Sequence, residues 1–242
     1  MSAPKTPASR SAPRIDLFDE RPLDAREEAL VRDIRVIEAL LFTATAPVTA
    51  REMAPHLTRE ADIGALMDVL TADYARRGVN ILKVAGGWML RTAPDLAHLR
   101  AGAGPEPRKL SRAATEVLAI IAYHQPVTRA EIEEIRGVTT SKGTLDVLLE
   151  SGWIRLRGRR KAPGRPVTYG TTSAFLIHFG LDAVQDLPGL DELKGAGLLD
   201  GRIPPGFAIP LPSDDDALRD DEEPLEETPL DFTLTSGAKD ED

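Results

Sequence analysis

Six cations stand within eleven residues: Arg155, Arg157, Arg159, Arg160, Lys161 and Arg165. An arginine-rich turn of this kind can contact phosphates without reading base sequence. It also suits a protein partner or an ordinary solvated surface, and composition does not choose among the three. The other residues able to do chemistry do not assemble. His56, His98, His124 and His178 are scattered, with no HxxxH or HExxH spacing. "GAGLLDG" at 195–201 echoes a dinucleotide loop but follows no strand and opens no βαβ unit. "GAGPEPRKLS" lacks the GK[ST] ending of a phosphate cradle. No nucleophile elbow and no catalytic carboxylate pair occur, and Glu131, Glu133 and Glu134 read as capping and solvating groups. There is no cysteine, which excludes disulfides and thiolate metal sites. The expectation is a protein without catalysis, cofactor or metal.

Charge is segregated along the 242 residues. Residues 107–180 carry 12 Lys and Arg against 6 Asp and Glu, a net of +6. Residues 181–242 carry 4 against 18, a net of −14. Such asymmetry points to nucleic acid or to an acidic partner. If the basic turn grips DNA, the acidic tail is expected to compete for it. The longest apolar run, 117–123, falls far short of the roughly 20 residues that a membrane span needs. With no signal-like start, the default is a cytoplasmic protein with no membrane role.

The elements that must position the cations come in two similar sets. "PVTAREM" at 47–53 and "PVTRAEI" at 126–132 share Pro, Val, Thr and Glu at equivalent places. Thr followed by Glu three residues later is a capping box, so Thr49 and Thr128 each open a helix. The preceding Pro ends the helix before it. Around the first phrase, Ile34, Ile37, Leu40 and Leu41 have helical spacing from about Asp33, and a third helix spans Asp62 to Arg77. "VNILKV", a Gly86-Gly87 turn and "WMLRT" form a hairpin, followed by a short helix from Asp95. Around the second phrase, Ser111 caps a helix and Gly137 ends the next. A third runs from Ser141 to Ser151, "WIRLRG" and "PVTYGT" are strands, and "SAFLIHFGL" is a closing helix. Three helices followed by a β-hairpin is the order of a winged helix.

The fold class is therefore α+β, mainly helical, with two tandem winged-helix domains at 31–100 and 110–181. A disordered extension (1–30), a linker (101–109), a Pro/Gly-rich segment (182–212) and a disordered acidic tail (213–242) surround them. The helix "SKGTLDVLLES" is a poor major-groove reader, because Asp146 and Glu150 would repel phosphate. Val117–Tyr123 is apolar on every side, which suggests that another domain or chain covers it; Leu40, Leu41 and Phe42 suggest the same. In "GRPVTYGTT", Gly164 turns the chain, Pro166 pre-sets the following strand, Tyr169 packs on the core and Arg165 is a candidate partner contact.

"LAIIAYHQPVTRAEIEEIRGV" and "GRPVTYGTTSAFLIHFGL" resemble the segregation and condensation protein B family, the winged-helix accessory subunits of the bacterial SMC condensin. "VIEALLFTATAPVT" and "GGWMLRTAPDLAHLR" are similar to its first winged helix, although "TATAP" departs from the family's Gly-containing turn. The resemblance covers about 150 residues and leaves out both tails. It implies a non-enzymatic, nucleoid-associated homodimer. The implied partner is the kleisin subunit, segregation and condensation protein A, and through it the SMC ATPase. The implied process is chromosome condensation and partition. On this reading Arg155, Arg157, Arg159, Arg165 and Tyr123 are candidate partner contacts, and Leu40, Leu41 and Phe42 a candidate dimer interface. Weak non-specific DNA contact stays open. The competing reading is a DNA-binding transcriptional regulator.

Overall fold

The computed structural model describes residues 24–100, 110–189, 192–193 and 217–225. The expected disorder of 1–23, the linker 101–109, and most of the Pro/Gly-rich segment and acidic tail lie outside the described residues.

The first helix, α1 (Ala25–Thr43), begins earlier than the sequence suggests. Asp24 accepts from the amides of Arg26 and Glu27, and Glu27 returns a carboxylate to the Asp24 amide. This capping box sits inside the segment expected to be disordered, and residues 24–30 are the cap and first turns of a helix instead. Next come α2 (Ala50–Met53), a 3₁₀ turn (Ala54–His56) and α3 (Ile63–Tyr74), which Asp62 caps. Strands β1 (Val79–Val84) and β2 (Gly87–Thr92) pair antiparallel. Their turn is Ala85-Gly86, both with positive φ, not Gly86-Gly87. Gly87 belongs to the strand instead.

The second unit repeats the order. It comprises α4 (Arg112–His124), β3 (Val127–Thr128), α5 (Arg129–Arg136), α6 (Lys142–Glu150), β4 (Ile154–Arg160), β5 (Val167–Thr171) and α7 (Ser173–Phe179). Gly137 ends α5 at φ 70°, where a Cβ would be strained. Each unit has its own core. Ile37, Met53, Met67 and Leu70 centre the first, and Val117, Ile121, Ile132 and Leu148 the second.

The repeated phrase performs two tasks in each copy. Its Thr and Glu close a capping box: the Thr49 amide donates to Glu52 at 2.8 Å, and the Thr128 amide to Glu131 at 2.7 Å. Its Val pairs with the hairpin. Val48 exchanges two backbone hydrogen bonds with Trp88, at 2.8 and 2.9 Å, and Val127 stands opposite Tyr169 in β5. Gly87 permits the first pairing, since a Cβ there would lie 2.9 Å from the Val48 carbonyl oxygen.

Residues 181–188 extend the second unit beyond its expected end at 181. Val184 is fully buried in the second core, with Leu181 and Leu187 packed against it, and the Tyr123 hydroxyl donates to the Pro188 carbonyl at 2.8 Å. The apolar helix α4 is thus covered by its own chain on this side, where the sequence suggested another domain or chain. The same segment meets the first hairpin. Ala85 donates to the Leu181 carbonyl, Gly86 to the Asp182 carboxylate, and Lys83 pairs with Asp182 at 2.8 Å.

Candidate functional site

The basic hairpin is β4, β5 and the turn between them, and it does not face solvent alone. A third strand, β6 (Glu222–Glu223), lies antiparallel on the outer edge of β4, giving the sheet order β3-β5-β4-β6. This strand comes from the acidic tail that the sequence suggested was disordered. The correction has a local cause. Tail carboxylates spaced at one-residue intervals are useless to an isolated chain, but beside a cationic edge strand they find both charge and backbone partners.

A β-bulge prepares the edge. Leu156 pairs with Tyr169 and Gly158 with Thr168, so Arg157 has no residue opposite it in β5. Strict alternation would place Arg155, Arg157 and Arg159 on one face. The bulge breaks the alternation and re-aims Arg157, which is only 7% exposed. Arg157 is therefore removed from the expected surface contacts. Its guanidinium meets the Glu222 carboxylate at 3.3 Å, with both side chains buried, and it also donates to the Ala217 carbonyl. Thr168 donates to the other Glu222 oxygen at 2.7 Å, and the Arg219 amide to the first at 3.1 Å. At Gly158 a Cβ would stand 2.6 Å from the Glu223 carbonyl oxygen, so only glycine lets the tail backbone this close.

The other cations are also engaged. Arg160 holds Asp221 at 2.7 Å and Glu131 at 3.0 Å, which ties the tail, the hairpin and the α5 capping box together. Burial works to raise the Glu131 carboxyl. The Thr128 amide and the Arg160 guanidinium outweigh it and hold the group below its ordinary range. Arg165, at φ 43°, meets Glu223 at 2.6 Å, and the Lys161 ammonium donates to the Asp220 carbonyl at 2.8 Å. Arg155 donates to the Thr171 carbonyl and Arg159 to the Arg165 carbonyl. The oppositely charged tail and turn thus meet through specific contacts.

The remaining candidates are dispersed. Tyr123 lies at the end of α4, half-buried beneath 181–188. Leu41 is 3% exposed in the first core, so it is unavailable to a dimer partner without unfolding its own unit. Leu40 is half-buried against that core, while Phe42 is 81% exposed. Sequence reasoning missed Gln125, whose side-chain oxygen accepts from Thr171 at 2.6 Å; Gly170 leaves it room. It also missed Asp33, buried and accepting from Thr58. Among the described residues, no three His, Asp or Glu side chains gather as metal ligands, and no helix is long and apolar enough to cross a membrane.

The family model for "Segregation and condensation complex subunit ScpB" matches residues 35–190. The chain belongs to the ScpB family. A segregation and condensation protein B of Symbiobacterium thermophilum is 44% identical over 160 residues, covering 64% of this chain and 73% of the relative. That of Moorella thermoacetica is 46% identical over 164 residues, covering 66% and 84%. The crystal structure of ScpB from Mycobacterium tuberculosis shares 34% identity over 66% of this chain and 99% of that one, with a TM-score of 0.29. The ScpB match runs from within α1 through both three-helix units to the segment that covers α4. It stops before residues 217–225, so the strand laid on the basic hairpin lies outside the matched region.

Proposed function

We propose that the chain is a non-enzymatic accessory subunit in chromosome segregation and condensation, built from two winged-helix domains that bind protein rather than read DNA. The observation that carries this reading is the ScpB match across both units, 35–190. The proposed partners are a second copy of the chain, the kleisin subunit (segregation and condensation protein A) and, through it, the SMC ATPase. A nucleoid-associated place in the cytoplasm follows from that partnership.

Two further observations support protein binding over the regulator reading. The helix that would enter a major groove, α6, presents Asp146 and Glu150 among its polar residues. The hairpin cations that would hold phosphates are engaged by the chain's own carboxylates and carbonyls. Arg155 and Arg159 are half-buried and Arg165 is exposed beside its Glu223 partner, and the surface they keep makes them the proposed kleisin contacts on this hairpin. Phe42 is the proposed centre of self-association, with Leu40 at its margin.

The test is native mass measurement of the full chain co-expressed with a kleisin. The expected result is one complex holding both subunits, and Phe42→Glu should halve the mass of the free chain while leaving its melting temperature unchanged. Failure to recover any complex, together with nanomolar sequence-specific DNA binding lost on changing Ser141 to Thr144, would establish the regulator instead.

A further inference from the structure

The contacts at the outer edge of β4 are those of a peptide-recognition site. Backbone pairing supplies the first part: Arg159 and Arg160 stand opposite Glu223 and Glu222, and the Lys161 amide donates to the Asp221 carbonyl at 2.8 Å. This is strand addition to an open sheet edge. A dedicated pocket supplies the second. Arg157 and Thr168 of the hairpin hold the Glu222 carboxylate, whose side chain is fully buried, while the Arg219 amide of the tail's own turn caps it. Close approach supplies the third, since Gly158 leaves no Cβ where the incoming backbone passes. A DNA phosphate needs none of these three features, whereas an extended acidic peptide uses all of them.

The occupant is held locally. Strand β6 is two residues long, and the outer ion pairs Arg160–Asp221 and Arg165–Glu223 are largely solvated on one or both sides. Exposed pairs of this kind contribute little each. So the buried Glu222 position carries the selectivity and the rest carries charge.

We propose that this edge is a recognition site for an extended acidic peptide, and that residues 217–223 are its resident, exchangeable ligand. An acidic segment of another protein, with a glutamate at the position of Glu222 and an adjacent acidic residue, displaces the tail by pairing with β4 in its place. This rests on the hairpin contacts alone and not on the kleisin assignment.

The probe is a fluorescein-labelled synthetic peptide of residues 217–225, ALRDDEEPL, titrated by anisotropy into full-length chains at low salt. The wild-type chain should bind it weakly, because its own tethered tail competes at an effective concentration of about millimolar. Full-length Glu222→Lys, which disables the resident strand, should bind it at least about tenfold more tightly. A peptide carrying Glu222→Gln should lose about tenfold or more on that chain, since Arg157 is then left facing no charge. Adding Gly158→Val to the chain should abolish binding. If Glu222→Lys does not fold by circular dichroism, full-length Glu222→Gln, which removes the buried charge of the resident strand without adding one, replaces it. Three results overturn the proposal: no peptide binding by the tail variants, equal binding of a scrambled peptide of the same charge, or tight binding of duplex DNA that the peptide cannot displace.

Discussion

The two three-helix units answer the same design problem with the same phrase, then treat their hairpins differently. In the first, Val48 pairs with β2, and the tip of the hairpin rests on the second unit through Ala85, Gly86 and Lys83. In the second, Val127 pairs with β5, and β4 takes a further strand from a distant part of the chain. Each hairpin contains one glycine whose missing Cβ admits a neighbouring backbone. At Gly87 the neighbour is Val48, part of the same unit; at Gly158 it is Glu223, which comes from a part of the chain distant in sequence. The duplicated scaffold is structural in both copies, and the difference lies in what the second hairpin is free to accept.

The largest expected effects test whether the units stand separately. Ile37→Ala and Ile121→Ala each delete a fully buried side chain from a different core. Each should cost about 2–5 kcal/mol. Because only a few contacts join the units, hydrogen exchange should rise mainly in the altered unit. Uniform deprotection of both would merge them into one cooperative body.

The glycine pair sharpens the comparison. Gly87→Ala forces a Cβ against the Val48 backbone and should lower first-unit stability by about 1–3 kcal/mol. Gly158→Ala should cost the second unit less, since the tail can leave and release the clash. A thermal scan that finds Gly158→Ala the worse of the two would make β6 an integral strand of its unit.

The capping boxes should differ by less. Thr49→Ala and Thr128→Ala each remove a cap, at about 1 kcal/mol. Thr128→Ala should be the costlier, because Thr128 is 3% exposed and its Glu131 partner also holds Arg160. Urea titration of the two variants ranks them.

Acid gives the smallest effect. Glu131 is held below its ordinary 4.5 in the fold, so its contribution is complete above about pH 4.5. It is lost as pH falls through the lower folded value. Glu131→Gln should therefore lower the second unit's stability at neutral pH and flatten the acid limb of its stability curve, the two chains converging at low pH. An unchanged limb would remove Glu131 from the account.

Most of the scaffold was legible because its signals are local. Thr49, Thr128, Asp62, Ser111 and Ser141 each cap the helix that follows, and a cap needs only residues one turn apart. The first turn of α1 is an exception: Asp24 and Glu27 form an equally good box, hidden within a charged, Pro-rich stretch. What failed was non-local. Strand β6 meets Arg157 across 65 residues of sequence, and no periodicity reports a two-residue strand. The bulge at Arg157 is likewise silent in the pattern of alternating arginines, so Arg157 looked like a surface cation. Leu41 looked available for a partner because helical spacing gives a stripe but not what already packs on it. The charge count showed that tail and hairpin are oppositely charged, since that depends on totals and not on order, but it gave no strand and no contact.

In the free chain residues 217–223 lie along β4, with Glu222 and Glu223 as the paired strand. Hydrogen exchange of the full-length protein, read jointly over 157–162 and 217–224, tests this placement most directly. Protection in both stretches, lost together in Glu222→Lys while α4 stays protected, is the predicted result. Exchange of 217–224 at the rate of an unstructured peptide in the wild-type chain would contradict it.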